Sequence, residues 1–252
     1  MTERLCNKKV VVASDLHGHY QPLEKMLRHY GDSPDRYILN GDLLGAGPST
    51  AKVLDIASAI DADINIGNWE LYLLAGLLHE DKEIQRQIQD AVRVFGEEKG
   101  VLDAITGSYG INTKIVGHSE KIKRLQEAML VRGHLQMLAR AAMFCETDDF
   151  IAIHAGLTGD SWSEQQEYLA EARDIFDEPR QIVDDAQFTL SRRPEAFEAT
   201  DKVVVTGHSH IVPGPRITAG GKRVRLASRL ELGEPLHVWQ SWNGQVKGFE
   251  QK

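Results

Sequence analysis

Residues that can bind metal ions follow a short run of β-branched residues near the start of the sequence. The run Val10–Val12 leads to Asp15 and His17, a carboxylate and an imidazole two positions apart. Side chains at positions i and i+2 of an extended chain point to the same face. We therefore expect Asp15 and His17 to project together from the carboxyl end of a buried strand. A single Asp-x-His triplet carries little weight, because such triplets often arise by chance.

The same arrangement recurs four more times along the chain. In each case an apolar run leads to residues of a type that binds metal ions: Asp42, Asn68, His154, and the pair His208 and His210. In open α/β sheets, sites form in the crevice beyond the carboxyl ends of the strands. Five such strands supply seven ligands, enough for two metal ions that share one carboxylate. Oxygen ligands mixed with imidazoles suit Mn, Fe or Zn better than Ca.

Together these segments resemble a known family. Any one of them could equally be an ordinary turn with a polar residue, but all five in this order resemble the calcineurin-like metallophosphoesterase superfamily. The resemblance covers the chain from about Val10 to His210, and it is strongest to bacterial relatives of serine/threonine protein phosphatases and of diadenosine tetraphosphatase. It is supported by the segments Asp15–Tyr20, Gly107–Gly110 and His154–Leu157. The resemblance implies an α/β fold, a four-layer sandwich of two mixed sheets flanked by helices.

The resemblance also implies two metal ions, each held by three residues and both bridged by one carboxylate. The first set is Asp15, His17 and His210. The second set is Asn68, His154 and His208, and the bridge is Asp42. A hydroxide shared by the two ions would attack phosphorus in the substrate. Alternatives stay open for single residues: Asn68 as a helix cap, and His154 as a buried structural histidine.

The residue after Asn68 departs from the family pattern. The phosphatases that the chain resembles have a histidine here, which contacts phosphate and helps to protonate the leaving group, whereas this chain has Trp69. Indole has no proton that titrates near neutral pH, so Trp69 cannot be a general acid. We therefore expect a substrate with a good leaving group, or a proton donated by His19. The alternatives are a structural role for His19, and for Trp69 either core packing or a flat surface for a nucleobase.

The function that we expect is hydrolysis of a phosphoester or phosphoanhydride, with Asp42, Asn68 and His19 as the catalytic residues. A phosphomonoesterase or protein phosphatase and a phosphodiesterase or dinucleoside-polyphosphate hydrolase compete within this class. The loop after Asp42 lacks the arginine that holds phosphate in the protein phosphatases, which weakens a phosphoprotein substrate. Four later arginines are substitutes or part of a solvated face: Arg216, Arg223, Arg225 and Arg229. A non-catalytic scaffold is the rival class, and the full ligand set argues against it.

The composition is typical of one globular domain, which we expect to span residues 1–252. The formal net charge of -8 disfavours nucleic acid and anionic membranes as partners, so we expect a small phosphorylated substrate such as a nucleotide, or a phosphoprotein. Cys6 and Cys145 form no CxxC motif, and no signal peptide or membrane-length apolar segment is visible. We therefore expect a soluble, cytoplasmic protein.

Two further segments carry clear patterns. Residues 69–140 read mainly as helices and are expected to form a helical cap beside the cleft. One buried stripe of this segment is predicted at the spacing i, i+4, i+8: Ile84, Ile88 and Val92. Near the end of the chain, Asn243–Gly244 lies between alternating apolar residues and predicts a two-residue hairpin turn. We expect the strands of this hairpin to complete the second sheet.

Overall fold

The structure, a computed structural model, describes most of the chain. Residues with a described position are 8–78, 82–83, 85–86, 89, 100–112, 114, 117–157, 161–171, 200–209 and 214–251. Two five-stranded sheets pack face to face. Helices cover the outer face of each sheet. The α/β sandwich predicted from the sequence is therefore confirmed.

The described elements are short and alternate between strand and helix from Val10 to Leu78. The strands are β1 (Val10–Ala13), β2 (Arg36–Asn40), β3 (Asp63–Asn65), β4 (Phe144–Glu146), β5 (Phe150–Ile153), β6 (Val203–Thr206), β7 (Arg216–Thr218), β8 (Arg223–Arg225), β9 (Leu236–Gln240) and β10 (Val246–Phe249). The α-helices are α1 (Tyr20–Tyr30), α2 (Thr50–Ala59), α3 (Asn68–Leu78), α4 (Val101–Ser108), α5 (His118–Val131), α6 (His134–Ala139) and α7 (Trp162–Glu171).

Both sheets are mixed. The first has the strand order β10–β9–β1–β2–β3, and β1, β2 and β3 are parallel. The second has the order β4–β5–β6–β8–β7, and β5, β6 and β8 are parallel. The candidate ligands follow the carboxyl ends of five of these parallel strands, all except β8, whereas the antiparallel strands lie at the outer positions.

The hairpin at the end of the chain forms, but in the other sheet. β9 and β10 pair antiparallel, with Val246 opposite Trp239. The prediction of a two-residue turn is wrong, because the N–H of Gln240 donates to the carbonyl oxygen of Gln245 and the residues between them, 241–244, form the connection, in which Gly244 has a φ of 65°. The expectation that these strands complete the second sheet is wrong, because β9 pairs with β1 and places Trp239 opposite Val12. Alternating apolar residues identify a strand with two unlike faces, but they do not specify which strand becomes its neighbour.

Alternate residues of the strands divide the interior into three apolar layers. On β1, Val10 and Val12 face the second sheet and pack in the same cluster as Trp239. Val11 and Ala13 face the helices on the other side. A third cluster fills the space between the outer face of the second sheet and α7. The period of two along buried strands therefore produces the order helix, sheet, sheet, helix.

The helices between β3 and β4 extend the helical layer over the first sheet. Buried apolar side chains of α3, α4, α5 and α6 join the same core as those of β1 and β2. The predicted stripe Ile84, Ile88 and Val92 lies outside the described residues. The cap role of residues 69–140 and the domain bounds 1–252 stay predictions. Among the helices that the structure describes, none is long and apolar enough to cross a bilayer.

Candidate metal centre

Five strand ends converge at one edge of the sandwich. Three belong to the first sheet (β1, β2 and β3) and two to the second (β5 and β6). The candidate ligands described at these ends are Asp15, His17, Asp42, Asn68, His154 and His208. His210, the seventh, lies outside the described residues. The two sheets thus bring together side chains that are almost 200 positions apart in sequence.

The carboxylate of Asp42 lies at the centre of this group. Its Oδ2 atom is 3.8 Å from Nε2 of His17 and 3.5 Å from Nε2 of His154. Two groups of ligand atoms, each within 4.8 Å of one another, are Asp15–His17–Asp42 and Asp42–His154–His208. Asp42 is the residue that the two groups share. Both groups therefore depend on the position of this one carboxylate.

Backbone carbonyl groups orient two of the imidazole rings. Nδ1 of His154 donates to the carbonyl oxygen of Asn40 at 2.9 Å, and Nδ1 of His17 donates to that of Leu44 at 3.2 Å. Because a carbonyl oxygen can only accept, the proton of each neutral ring lies on Nδ1. In the neutral form, which is the form that binds a metal ion, the lone pair of each Nε2 atom would face Asp42. Metal-binding histidines are typically oriented in this way, so these donors fit a metal ion.

The side-chain oxygen of Asn68 faces the same space as the histidines. Oδ1 lies 3.3 Å from Nε2 of His154 and 3.0 Å from Nδ1 of His208. The backbone N–H of His208 donates to both carboxylate oxygens of Asp15, at 3.0 and 3.1 Å. Although α3 begins at Asn68, the side chain of this residue is directed at two nitrogen ligands. The ligand role predicted for Asn68 is compatible with this direction.

Asp42 and His154 form a buried pair of opposite charge. Burial by itself would raise the pKa of Asp42, but the positive charge of His154 lowers it to about 2. Burial would likewise lower the pKa of His154, but Asp42 raises it to about 10. Without metal, the carboxylate therefore holds a proton on the imidazole. A metal ion that takes Nε2 as a ligand must displace that proton, because metals bind the neutral ring.

The backbone at the site adopts a conformation that side chains rarely allow. Four candidate ligands have positive φ angles: Asp15 (56°), His17 (44°), Asp42 (53°) and His208 (60°). Non-glycine residues in this region cost about 1–3 kcal/mol each and cluster at functional sites. Asp and His adopt positive φ more readily than most other non-glycine residues, and the surrounding structure holds all four of them in this conformation at one edge of the sandwich.

The family assignment follows from the match over most of this chain. The family model described as calcineurin-like phosphoesterase matches residues 8–232. The chain belongs to this family. The phosphoesterase is accordingly a metal-dependent hydrolase of phosphoric esters, the enzyme class that the sequence predicted. A comparison with curated protein sequences gives no match.

Solved structures of similar fold include several phosphatases. A protein described as a candidate diadenosine tetraphosphatase has a TM-score of 0.60 and 16% identity, with 99% of this chain and 96% of that chain covered. A serine/threonine phosphatase from Saccharomyces cerevisiae has a TM-score of 0.59 and 15% identity, with 96% and 79% covered. A cold-active protein-tyrosine phosphatase from a Shewanella species has a TM-score of 0.51 and 16% identity, with 96% and 80% covered. These likenesses show a shared fold.

A buried glutamate that the sequence interpretation missed holds two of the ligand loops. Oε2 of Glu70 accepts from the N–H groups of Asp42 (2.8 Å) and Gly67 (2.9 Å). Oε1 accepts from Leu43 (2.8 Å) and Leu44 (3.1 Å). Burial, and then the charge of Asp42, raise the pKa of Glu70. A proton on this carboxyl would nevertheless face only N–H donors, so the geometry favours the carboxylate.

A local signal for Glu70 is present in the sequence. In a capping box, a glutamate lies three positions after the residue that precedes the helix. Its side chain accepts a hydrogen bond from the backbone N–H of that preceding residue. Gly67 and Glu70 have this spacing around the start of α3. The signal predicts the bond to Gly67. It does not predict the three bonds to the loop that follows β2, because those depend on the packing of α3 against the sheet.

We expect Glu70→Gln to lower both the stability of the phosphoesterase and its affinity for metal. The amide has one acceptor oxygen, so two backbone N–H groups would face its NH₂ group. Each buried donor left without an acceptor costs about 1–3 kcal/mol. The measurements are the free energy of unfolding in urea and the Mn²⁺ content after dialysis. Glu120→Gln, an exposed residue paired with Arg124, is the control. A Glu70→Gln protein with normal stability and metal content would contradict this assignment.

The backbone of Trp69 contacts the site, and its ring packs against the apolar layer between the first sheet and the helices that cover it. The N–H of Trp69 donates to Oδ1 of Asp42 at 3.1 Å. Its half-buried side chain contacts the apolar cluster beneath α3.

Among the four later arginines, Arg223 is buried and donates to backbone carbonyl oxygens, including that of Thr200. Arg223 is therefore engaged in holding strand ends, and its described bonds are not to the ligand cluster.

His19 is placed beside the ligands, but in neither of the two ligand groups. It is buried at the start of α1, where Gly47 packs against its ring. Burial and then the neighbouring charge of His17 lower its pKa, whereas Glu231 and a hydrogen bond with Gln251 raise it less. The lowered pKa leaves the ring mainly neutral at neutral pH. Its role as proton donor stays a prediction.

Proposed function

We propose that this phosphoesterase hydrolyses a phosphate ester or anhydride at a centre of two metal ions. The observation that carries the proposal is the position of Asp42, whose carboxylate belongs to two groups of metal-type ligands. Oxygen and imidazole donors in this mixture suit Mn, Fe or Zn. The proposed ligands are Asp15, His17, His210 and Asp42 for one ion, and Asp42, Asn68, His154 and His208 for the other.

Bound metal ions would supply a water activated near neutral pH and positive charge opposite the phosphoryl oxygens. The chain provides the geometry. Asp42 fixes the distance between the two ligand groups, and the carbonyl groups of Asn40 and Leu44 fix the direction of the imidazole lone pairs. Cations at this edge would reverse the local sign of charge. An anionic substrate is thus compatible with the net charge of -8.

The substrate is expected to have an acidic leaving group. Trp69 occupies the position where the related phosphatases have a histidine, and an indole cannot protonate a leaving alkoxide. A phosphate or phenolate leaves without such help. Small phosphoanhydrides or aryl phosphates therefore fit the site better than alkyl monoesters. The similarity in fold to a candidate diadenosine tetraphosphatase agrees with this class of substrate.

Hydrolysis of three model substrates tests the proposal. The Mn-loaded enzyme should cleave p-nitrophenyl phosphate faster than glycerol phosphate by about 10²–10⁴-fold, the usual contribution of a general acid. Bis-p-nitrophenyl phosphate has the same leaving group, so its rate relative to the monoester separates a diesterase from a monoesterase. Similar rates on both monoesters would contradict the expectation and require a proton donor. If His19→Ala removed the activity on glycerol phosphate alone, that donor would be His19.

A further inference from the structure

A buried asparagine, Asn40, joins the two sheets beneath the candidate metal centre. Asn40 is the last residue of β2 and is fully inaccessible to solvent. It lies two positions after Ile38 and shares its face of the strand, which packs against the second sheet. Its side-chain Nδ2 donates to the carbonyl oxygen of Ile153 at 3.0 Å and lies 3.4 Å from that of Val205. One amide therefore contacts the ends of β5 and β6.

The backbone carbonyl of the same residue orients a proposed ligand. It accepts hydrogen bonds from Nδ1 of His154 at 2.9 Å and from Oγ of Ser14 at 2.8 Å. Asn40 thus holds His154 in two ways. The carbonyl oxygen fixes the imidazole ring, and the side-chain amide fixes the peptide group between Ile153 and His154. Asn40 also lies two residues before Asp42. It therefore links Asp42 to His154, and both residues belong to the group Asp42–His154–His208.

A second asparagine completes the network. Nδ2 of Asn65 donates to Oδ1 of Asn40 at 2.7 Å and to the carbonyl oxygen of Ala152 at 2.9 Å. The polar atoms of the Asn40 side chain are therefore engaged as donor and acceptor, and neither is directed at the ligand cluster. The surrounding layer is apolar. Replacing Asn40 alone would leave the carbonyl oxygen of Ile153 and the Nδ2 group of Asn65 without this partner. Each buried polar group left unpaired costs about 1–3 kcal/mol, so an effect on metal binding has to be measured separately from an effect on stability.

We propose that Asn40 is a positioning residue that sets the distance between Asp42 and His154, and thereby the affinity for the second metal ion. The inference rests on the proposed two-metal function. Without the amide, the end of β5 keeps the bond from His154 to the backbone carbonyl of Asn40 but loses the bond to the carbonyl oxygen of Ile153. The distance of 3.5 Å between Nε2 of His154 and Asp42 is then less firmly set. The group Asp15–His17–Asp42 lies on the first sheet, and among the ligands proposed for the first ion only His210 follows a strand of the second sheet, so this ion depends less on the Asn40 amide.

The test is the number and affinity of Mn²⁺ ions bound by Asn40→Leu, measured by equilibrium dialysis. Residues that orient metal ligands typically contribute about 10–100-fold in affinity. We expect one of two ions to bind about 10–100-fold more weakly in this variant, and the other to lose less affinity. Asn40→Ala, which introduces no bulk, is measured alongside and is expected to lose the same ion, so that misfolding of Asn40→Leu would not hide the effect.

Asn65→Leu is the matched control, because it removes an amide from the same network but no bond to Ile153 or His154. We expect Asn65→Leu to bind both ions with wild-type affinity, even where its melting temperature falls as much as that of Asn40→Leu. The inference is overturned if the Asn40 variants keep both ions, or if Asn65→Leu loses the same ion. A wild-type protein that binds fewer than two ions would instead overturn the two-metal proposal, and this inference with it.

Discussion

Replacing Asp42 with asparagine is expected to lower kcat/KM by at least about 10³-fold. The proposed function makes this carboxylate a ligand of both metal ions, and the amide offers one neutral oxygen in its place. Metal ions supply several kcal/mol of charge stabilisation in such reactions, and each 1.4 kcal/mol or so corresponds to a factor of ten in rate. The measurement is hydrolysis of p-nitrophenyl phosphate at saturating Mn²⁺, together with the metal content of the variant.

The control for this substitution is Asp32→Asn, which changes the same functional group on an exposed turn. It should leave activity and metal content unchanged. Asp42→Asn should still fold, because His154 loses its proton when its partner charge is removed. A variant with full metal content and activity would show that Asp42 does not bridge the ions, whatever else it contacts.

Gly207→Ala is expected to destabilise the phosphoesterase by about 1–3 kcal/mol, the usual cost of overpacking, and to disturb the metal centre. A Cβ atom at this position would lie 1.9 Å from Oγ of Ser14 and 2.1 Å from Oδ2 of Asp15. Both neighbours are fully buried, so either the end of β6 or the proposed ligand Asp15 must move. A misplacement of about 1 Å at a reacting centre costs on the order of 10²-fold in rate.

The measurements for this variant are urea unfolding and hydrolysis of p-nitrophenyl phosphate. Gly107→Ala provides the comparison, because nothing lies within 4 Å of a Cβ built on Gly107. In a helix, alanine is favoured over glycine by about 1 kcal/mol, so this control should be neutral or more stable. If Gly207→Ala were as stable and active as the wild type, the close approach of β6 to Asp15 would not be a real constraint on the site.

The strand ends that carry the site could be predicted from local sequence because each is a local event. A buried apolar run such as Val10–Ala13 is followed within one to three residues by a polar residue, and the crevice at the carboxyl ends of parallel strands then brings these residues together. The sheet to which the last hairpin belongs could not be predicted in this way. Pairing of β9 with β1 joins segments more than 220 residues apart, and no local pattern in either strand encodes it.

The residues that orient the ligands were largely beyond prediction for a related reason. The side chains of Glu70 and Asn40 bond to backbone N–H and carbonyl groups of their partners. Almost every residue has these groups, so the sequence of the partner does not indicate that it will form such a bond. Glu70 has one local partner, Gly67, and a capping-box spacing that predicts it. Asn40 contacts Ile153 and His154, which lie more than 110 positions away, and these contacts depend on how the two sheets pack together.

The most direct test of a centre that shares Asp42 is the electron paramagnetic resonance spectrum of the wild-type protein loaded with Mn²⁺. Two ions that share one carboxylate are expected to be exchange-coupled, with two Mn²⁺ bound per chain. The spectrum should then show the signal of a coupled pair, and Asp42→Asn should lose it. A spectrum of isolated Mn²⁺, or a protein that binds one ion or none, would contradict the two-metal centre proposed for this phosphoesterase.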